Sequence, residues 1–370
     1  MKELRDLLPG IQNRIYLNYA RTGPLLEPAA RKIQSLIEEG MEPFEFHRDA
    51  WIGHVEHARK SVAELIGAST DEIAFTNSTS SGLSLIAGAV RWKSGDRILY
   101  PSDEYPSNRF VWDNLEEKGV ITEAIEPERG VPFSKQLEEC DLSNVRLVAV
   151  SAVSFWDGRR HDIERIAKLC HDNDALLSVD AIQAAGAIPI DVKSWDCDFL
   201  ASGGQKWLFG PVGTGFVYFK RRVIPELSVP QMGWGCIKPL PDLLAREYEF
   251  ADGAKRFEPG YVDIPAFAGL ATSIESMKKI GWKKIYDRIA LLVEKAQKEL
   301  TKLGCPPIAH GDHSGIIAFE HANAEAIHKK LMERRIYTTH RSNRIRISLH
   351  ASVSDEELTL FFDALRTLIS

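Results

Sequence analysis

Two nearly continuous apolar stretches, Val145-Arg-Leu-Val-Ala-Val-Ser151 and Ala175 to Asp180, constrain this chain more than any other feature. A strand with one face in water alternates apolar and polar residues; a strand apolar throughout is buried on both faces and belongs to a parallel sheet. Parallel neighbours need a crossover, normally a helix, and the pattern from His161 to Asp172 supplies one. Upstream, the same alternation gives a strand at Ile73–Thr76, a helix at Leu83–Val90, a strand at Arg97–Tyr100, a helix near Phe110–Lys118 and a strand near Val120–Ile125. The expected fold class is therefore α/β, with a doubly wound and mostly parallel sheet. Ligands of such sheets sit beyond the carboxyl ends of the strands. Thr76, Tyr105, Phe155, Asp180 and Lys206 all fall at or just past those ends, which predicts one shared site.

At 370 residues the chain is long enough for one large α/β unit and a smaller one. The alternation breaks after Phe219, where Pro225, Pro230, Pro239 and Pro241 interrupt a loop-rich crossing. A tail follows, with strands at Gly315–Glu320 and Arg344–Ser348 and helices at Ala324–Arg335 and Asp355–Ile369. We expect a large unit at 16–250 and a small α+β unit made of 1–15 and 251–370. Acids and bases are interspersed and the net charge is -6, which gives no reason to expect a nucleic-acid or anionic-membrane partner. No apolar stretch is long enough to span a bilayer, and the charged start MKELRDLLPG lacks a signal core, so a cytoplasmic protein is expected. Five cysteines without a C-x-x-C pair fit reduced thiols. His47, His54 and His57 fall near one helical face, but without H-E-x-x-H spacing they read as solvated or core histidines, and no metal is expected.

The chemistry concentrates between Leu176 and Phe219. One apolar run ends in Asp180, Gln183 follows a turn later, and a second run leads through small residues to Lys206, the only lysine between Lys193 and Lys220. Alone, Asp180 reads as a helix N-cap and Lys206 as a surface lysine. Together they match what pyridoxal phosphate requires: an amine to hold the cofactor as a Schiff base and a carboxylate to keep its ring nitrogen protonated. Upstream, Asn77-Ser-Thr-Ser-Ser-Gly82 joins a strand end to an apolar helix. That junction reads either as an ordinary N-cap or as a cradle for an anion.

Asp180-x-x-Gln183 followed by Gly-Gly-Gln-Lys206-Trp-Leu-x-Gly-Pro resembles the class V aminotransferase group, which includes cysteine desulfurases, isopenicillin N epimerase-like enzymes, kynureninases and several aminotransferases. The resemblance runs from Tyr16-Leu-Asn18 to Arg346-Ile-Ser-Leu-His350. It implies the type I fold of pyridoxal-phosphate transferases, which is that of aspartate aminotransferase, and pyridoxal 5'-phosphate as cofactor. Lys206 and Asp180 would be the catalytic pair, with Gln183 on the ring hydroxyl. Ser78, Thr79 and Ser80 would hold the phosphate, Tyr105 would stack on the ring, and Arg346 would take the substrate carboxylate. Phe155 occupies a wall position that is asparagine in desulfurases. Tyr105-Pro-Ser-Asn108 is similar to the kynureninase version of the stacking motif, which brings in Asn108 beside the substrate. The segment Arg256-Phe-Glu-Pro-Gly-Tyr261 resembles one that reaches the partner subunit's phosphate, so the resemblance implies a homodimer with a shared active site, Tyr261 contributing.

Two positions depart from the group's pattern. Gln205 stands where histidine usually precedes the lysine, and Gly203 where a phosphate-binding serine is common, with Ser202 one step away. Desulfurases carry a cysteine on the loop before the carboxylate arginine; Tyr337-Thr-Thr-His-Arg-Ser-Asn343 has none. The expected function is therefore an aminotransferase acting on an amino acid or related amine. A lyase or epimerase of the isopenicillin N epimerase, kynureninase or carbon–sulfur lyase kind comes second, and a desulfurase third. The rival from another class is a ligand-binding module built on the same fold. Arg21, His340 and Arg341 are candidates for the far end of a substrate, and each reads equally as a surface charge.

Overall fold

The computed structural model describes residues 1–239, 244, 246–309 and 314–369. Its strands are β1 (Ile15–Tyr16), β2 (Ile73–Thr76), β3 (Arg97–Pro101), β4 (Ile121–Ile125), β5 (Val145–Ser151), β6 (Leu176–Asp180), β7 (Phe199–Gly203), β8 (Gly215–Phe219), β9 (Ile316–Glu320), β10 (Ile336–Tyr337), β11 (Thr339–Arg341) and β12 (Arg344–Ser348). Seven of them form the central sheet in the order β2-β8-β7-β6-β5-β3-β4. β7, β6, β5, β3 and β4 run parallel, while β8 is antiparallel to both its neighbours. The reversal at β8 follows from the 204–214 connection, which carries Lys206 and turns the chain back without a crossover helix.

Both faces of this sheet are packed, as the apolar runs required. Along β5, Val148 and Val150 join one buried cluster while Leu147 and Ala149 join the other. Successive side chains point to opposite faces, so a strand apolar at every position can serve two cores. The helix Ile264–Ile280 seals one face; its Phe267 lies 4.2 Å, centroid to centroid, from Phe75 of β2. Behind it pack the helices Glu27–Glu39 and Phe44–Ile66, the second enclosing His47, His54 and His57. His47 bonds Glu42 at 2.8 Å and His54 bonds Lys32 at 3.1 Å. The expected helix from Phe110 to Lys118 is instead a helix at Ser107–Asp113 followed by a 3-10 turn at Asn114–Lys118. Of the prolines expected to break the crossing segment, Pro241 lies outside the described residues.

A second sheet, β11-β12-β9, is antiparallel and carries Arg346 on its middle strand. β11 and β12 are joined by the two residues Ser342-Asn343, with Ser342 at a φ of 53°. The chain's beginning is tied to this region: β1 pairs in parallel with β10, and Asn18 bridges to Ser348. The turn after Tyr19 is thereby held against the mouth of the large sheet. Among the described residues, no helix is long and apolar enough to cross a membrane.

Candidate active site

At the carboxyl ends of β2, β5, β6 and β7 lies a cavity of about 440 Å³. Its wall brings together Arg21, Ser78, Thr79, Ser80, Tyr105 and Phe155 with Asp180, Gln183, Gln205, Lys206, Arg341 and Arg346. Four other candidates stand elsewhere; one, His340, turns its Nε2 to the Ser342 carbonyl of its own hairpin at 2.5 Å. Ser202 is fully buried in β7, its hydroxyl donating to the Gly203 carbonyl at 3.3 Å. Asn108, expected beside the substrate, is also fully buried; its Oδ1 accepts from Trp112 Nε1 at 3.1 Å, because the first turn of the Ser107–Asp113 helix rotates it inward. Tyr261 is exposed, with its ring 5.5 Å from Phe44 and 4.8 Å from Trp234.

Asp180 closes β6 and is 2 % exposed. Its Oδ1 accepts from the Ile182 N–H at 2.9 Å, and burial pushes its pKa up to about 6, partly offset by that hydrogen bond and by Lys206. Lys206 is half-buried, its Nζ 5.9 Å from the centroid of the Tyr105 ring. Desolvation draws its amine down to about 8, against the pull of Asp180, while Arg346 and Arg341 lower it further. An acid forced up and an amine forced down in one cleft mark a candidate functional site.

The loop that carries Lys206 is fixed from several sides. Phe209, three residues on, is fully buried at a φ of 53°, a conformation costly for a bulky side chain. Packing compels it: its ring lies 4.4 Å from His350 and 5.8 Å from Tyr19. The Gly210 N–H donates to the Gly204 carbonyl at 2.8 Å and closes the loop on itself. From the other side, the Gly23 N–H donates to the Gln205 carbonyl at 2.8 Å and Thr22 Oγ1 does so at 3.1 Å. Gly23 approaches so closely that a Cβ there would lie 2.1 Å from the Lys206 carbonyl oxygen. Gln183 joins the two halves of the site, its Oε1 accepting from Trp207 Nε1 at 2.8 Å and its Nε2 donating to the Ala20 carbonyl at 3.0 Å.

The junction at Ser78 is an N-cap. Ser78 Oγ accepts from the Ser81 N–H at 3.1 Å and so opens the helix Thr79–Ala89, while Ser80 Oγ lies 2.7 Å from Ser107 Oγ. Thr79 Oγ1 is buried without a partner. Gly215 lets β8 reach this turn, since a Cβ there would lie 2.8 Å from the Ser78 nitrogen. A helix N-terminus with an unspent hydroxyl favours a bound anion. Arg346 donates to the Phe155 carbonyl at 2.5 Å while its Nε has no partner; burial first, then Arg341 and Arg21, lower its pKa to about 10. Tyr105 and Phe155 meet edge to face at 5.1 Å beside it.

These features fit pyridoxal phosphate: a buried carboxyl, an amine within its field, an anion cradle and an aromatic wall. The model of the family "Aminotransferase class-V" matches residues 18–358. The chain belongs to the class V aminotransferase family. Its cofactor is pyridoxal phosphate. A probable cysteine desulfurase of Methanothermobacter thermautotrophicus is 33% identical over 290 residues, covering 77% of this chain and 72% of that protein. The uncharacterized aminotransferase YcbU of Bacillus subtilis is 29% identical over 367 residues, 96% of this chain and 95% of that one. Among solved structures, the apo cysteine desulfurase of Thermococcus onnurineus superposes with a TM-score of 0.89 at 27% identity, covering 100% of this chain and 98% of that chain.

Sequence reasoning missed several members of the site. Ala20, Ser107, Ile182 and Thr339 complete the cavity wall. Glu104 lies just behind it, 5 % exposed, its carboxylate accepting from the Ser151 N–H and hydroxyl, both at 2.5 Å, and from the Tyr105 N–H at 3.3 Å. Burial pushes Glu104 up to about 7. It ties the Tyr105 turn to the end of β5, one strand from Asp180. Its only signal in the sequence was an acid next to the expected stacking residue. Glu258, inside the segment expected to reach a partner, is likewise buried and spends its carboxylate on Arg59 and on the Phe75 N–H.

Proposed function

We propose that this chain is an aminotransferase for an α-amino acid, with Lys206 and Asp180 as its catalytic pair. The observation that carries the reading is the meeting of Lys206, Asp180, the Ser78–Ser80 turn and Arg346 on one cavity with no cysteine on its wall. Ser78, Thr79 and Ser80 hold the cofactor phosphate at the helix N-terminus. Asp180, ionised, holds a proton on the ring nitrogen, and Gln183 offers the ring hydroxyl its second amide hydrogen. When bound, the cofactor supplies an electron sink for the bond broken at the substrate's α-carbon. Arg346 takes the α-carboxylate on its free guanidinium edge and so orients the α-hydrogen. Lys206, as a neutral amine, would take that proton from the α-carbon and deliver it across the nitrogen to the cofactor's carbonyl carbon, as transamination needs. Tyr105 covers the cofactor and, with Phe155, keeps water from the reacting carbon.

Relatives carrying the name cysteine desulfurase make that activity the natural competitor. Here a two-residue turn joins β11 and β12, and the described cysteines are buried or half-buried away from the cavity, so no thiol is positioned to receive sulfur. A lyase or epimerase shares the proton-abstraction step; the Tyr105–Phe155 pair, similar to the kynureninase arrangement, is what favours keeping it in view. The exposed aromatics Trp234 and Tyr261, packed beside the half-buried Phe44, support a homodimer, and five unpaired cysteines support a cytoplasmic, reducing location. The division into units 16–250 and 1–15 with 251–370 belongs to the same reading, supported by the separate β11-β12-β9 sheet. The test is an amino-donor screen on holoenzyme that follows the cofactor's visible band and identifies products. A keto acid formed in equal amount to cofactor converted supports transamination. Ammonia released over many turnovers without an acceptor refutes it.

A further inference from the structure

Four cationic side chains face the cavity, Arg21, Lys206, Arg341 and Arg346, against the single acid Asp180. On the reading above, three of these five charges have assigned partners: Lys206 and Asp180 engage the cofactor, and Arg346 takes the α-carboxylate. The cofactor phosphate has its own seat at the Ser78–Ser80 turn. Arg341 and Arg21 are left over. Arg341 stacks its guanidinium over the Phe155 ring at 5.5 Å, which holds the planar group beside the aromatic wall with its N–H edge unspent. Arg346 gives one N–H to the Phe155 carbonyl, so Phe155 anchors both arginines. The guanidiniums are close enough for Arg341 and Arg21 to disfavour the charge on Arg346.

We propose that the substrate carries a second anionic group on its side chain, and that Arg341, assisted by Arg21, receives it. The proposal rests on the aminotransferase reading and names its substrate class: a short acidic α-amino acid. A guanidinium fork matches a carboxylate bidentately, as it would a sulfinate or sulfonate of the same shape. The size agrees, since about 440 Å³ must hold the cofactor as well and leaves space only for a short side chain. Lysine- or arginine-like substrates would bring a fifth cation to the same wall. Apolar substrates would leave the guanidiniums of Arg341 and Arg21, both exposed on the cavity wall, without a partner.

The experiment compares isosteric pairs on holoenzyme. Aspartate with asparagine, and glutamate with glutamine, are followed by single-turnover loss of the cofactor's visible band. In parallel, binding of succinate and of its half-amide succinamate is measured by calorimetry, a readout independent of turnover. The acids should react faster than their amides by about 10²-fold or more, and succinate should bind more tightly than succinamate. Arg341→Gln should bring both ratios close to one, and Arg21→Gln should lower them part of the way. Amides that match acids in both measurements overturn the proposal while leaving the aminotransferase intact. Ratios that survive in Arg341→Gln and Arg21→Gln overturn it too, because the preference then lies elsewhere. Succinate preference without reaction of any amino acid retains the acidic pocket and refutes the aminotransferase.

Discussion

At pH 7 an ordinary lysine, with a pKa of 10.5, has about one amine in three thousand neutral and able to attack a carbonyl. Drawn down to about 8, Lys206 has about one in ten, a gain of about 300-fold in nucleophile. Burial lowers the value and Asp180 opposes it, so Asp180→Asn should lower it again. The assay is a short pulse of pyridoxal on apoprotein, fixed with borohydride, with the Lys206 peptide quantified by mass across pH 6 to 11. Labelling of the native protein should rise about tenfold per pH unit and level off near pH 8. In Asp180→Asn the midpoint should move to lower pH; the midpoint is the readout, since the amplitude also reflects how pyridoxal fits. A native midpoint near 10, or an upward move in Asp180→Asn, would show that the lysine is not held in the desolvated position described.

Three further expectations bear on the framework around the pair. Glu104, raised from 4.5 to about 7, stabilises the fold fully below its unfolded pKa and loses that contribution as pH climbs through 7; apoprotein Glu104→Gln should show a flatter fall of Tm between pH 4.5 and 7, and an unchanged slope refutes the assignment. Arg59→Met strands the buried Glu258 carboxylate, bonded to Arg59 at 2.6 and 3.0 Å, and should cost about 3–5 kcal/mol in urea unfolding. The double variant Arg59→Met/Glu258→Gln should recover part of that loss, and additive damage contradicts the pairing. Gly23→Ala puts a Cβ 2.1 Å from the Lys206 carbonyl oxygen, where ordinary contacts begin at 3.4 Å; a displacement of about 1 Å should lower kcat by about 10²-fold, and full activity would mean the N-terminal turn does not set the lysine's position.

The sequence was most informative where one physical requirement dominated. Strands buried on both faces left little choice for Val145–Ser151 or Leu176–Asp180, and Asp180 and Lys206 followed from where those strands end. Asn108 lies off the cavity wall because a local motif does not show which way the first turn of a helix faces; here it faces Trp112. Glu104 and Glu258 were invisible for a related reason. Their partners, Ser151 and Arg59, are 47 and 199 residues away, and nothing local marks an acid as buried. The antiparallel β8 was hidden as well, since apolar runs carry no direction.

The joining of Asn18–Gly23 to the far end of the chain bears on how the protein is made. Tyr19 Oη meets Ser352 Oγ at 2.8 Å across 333 positions, and the Ala20 N–H donates to Ser348 Oγ at 2.9 Å across 328. On the ribosome, the central sheet with its acid and its lysine is complete once β8 has emerged, more than a hundred residues before Arg346. The turn that steadies the lysine loop already has Gln183 and Gln205 as partners by then, but lacks its Ser348 and Ser352 anchors until the end of the chain arrives. Synthesis thus separates the site's chemistry from its closure in time: a nascent chain holds a reactive amine in an open cleft, and its final strands shut it.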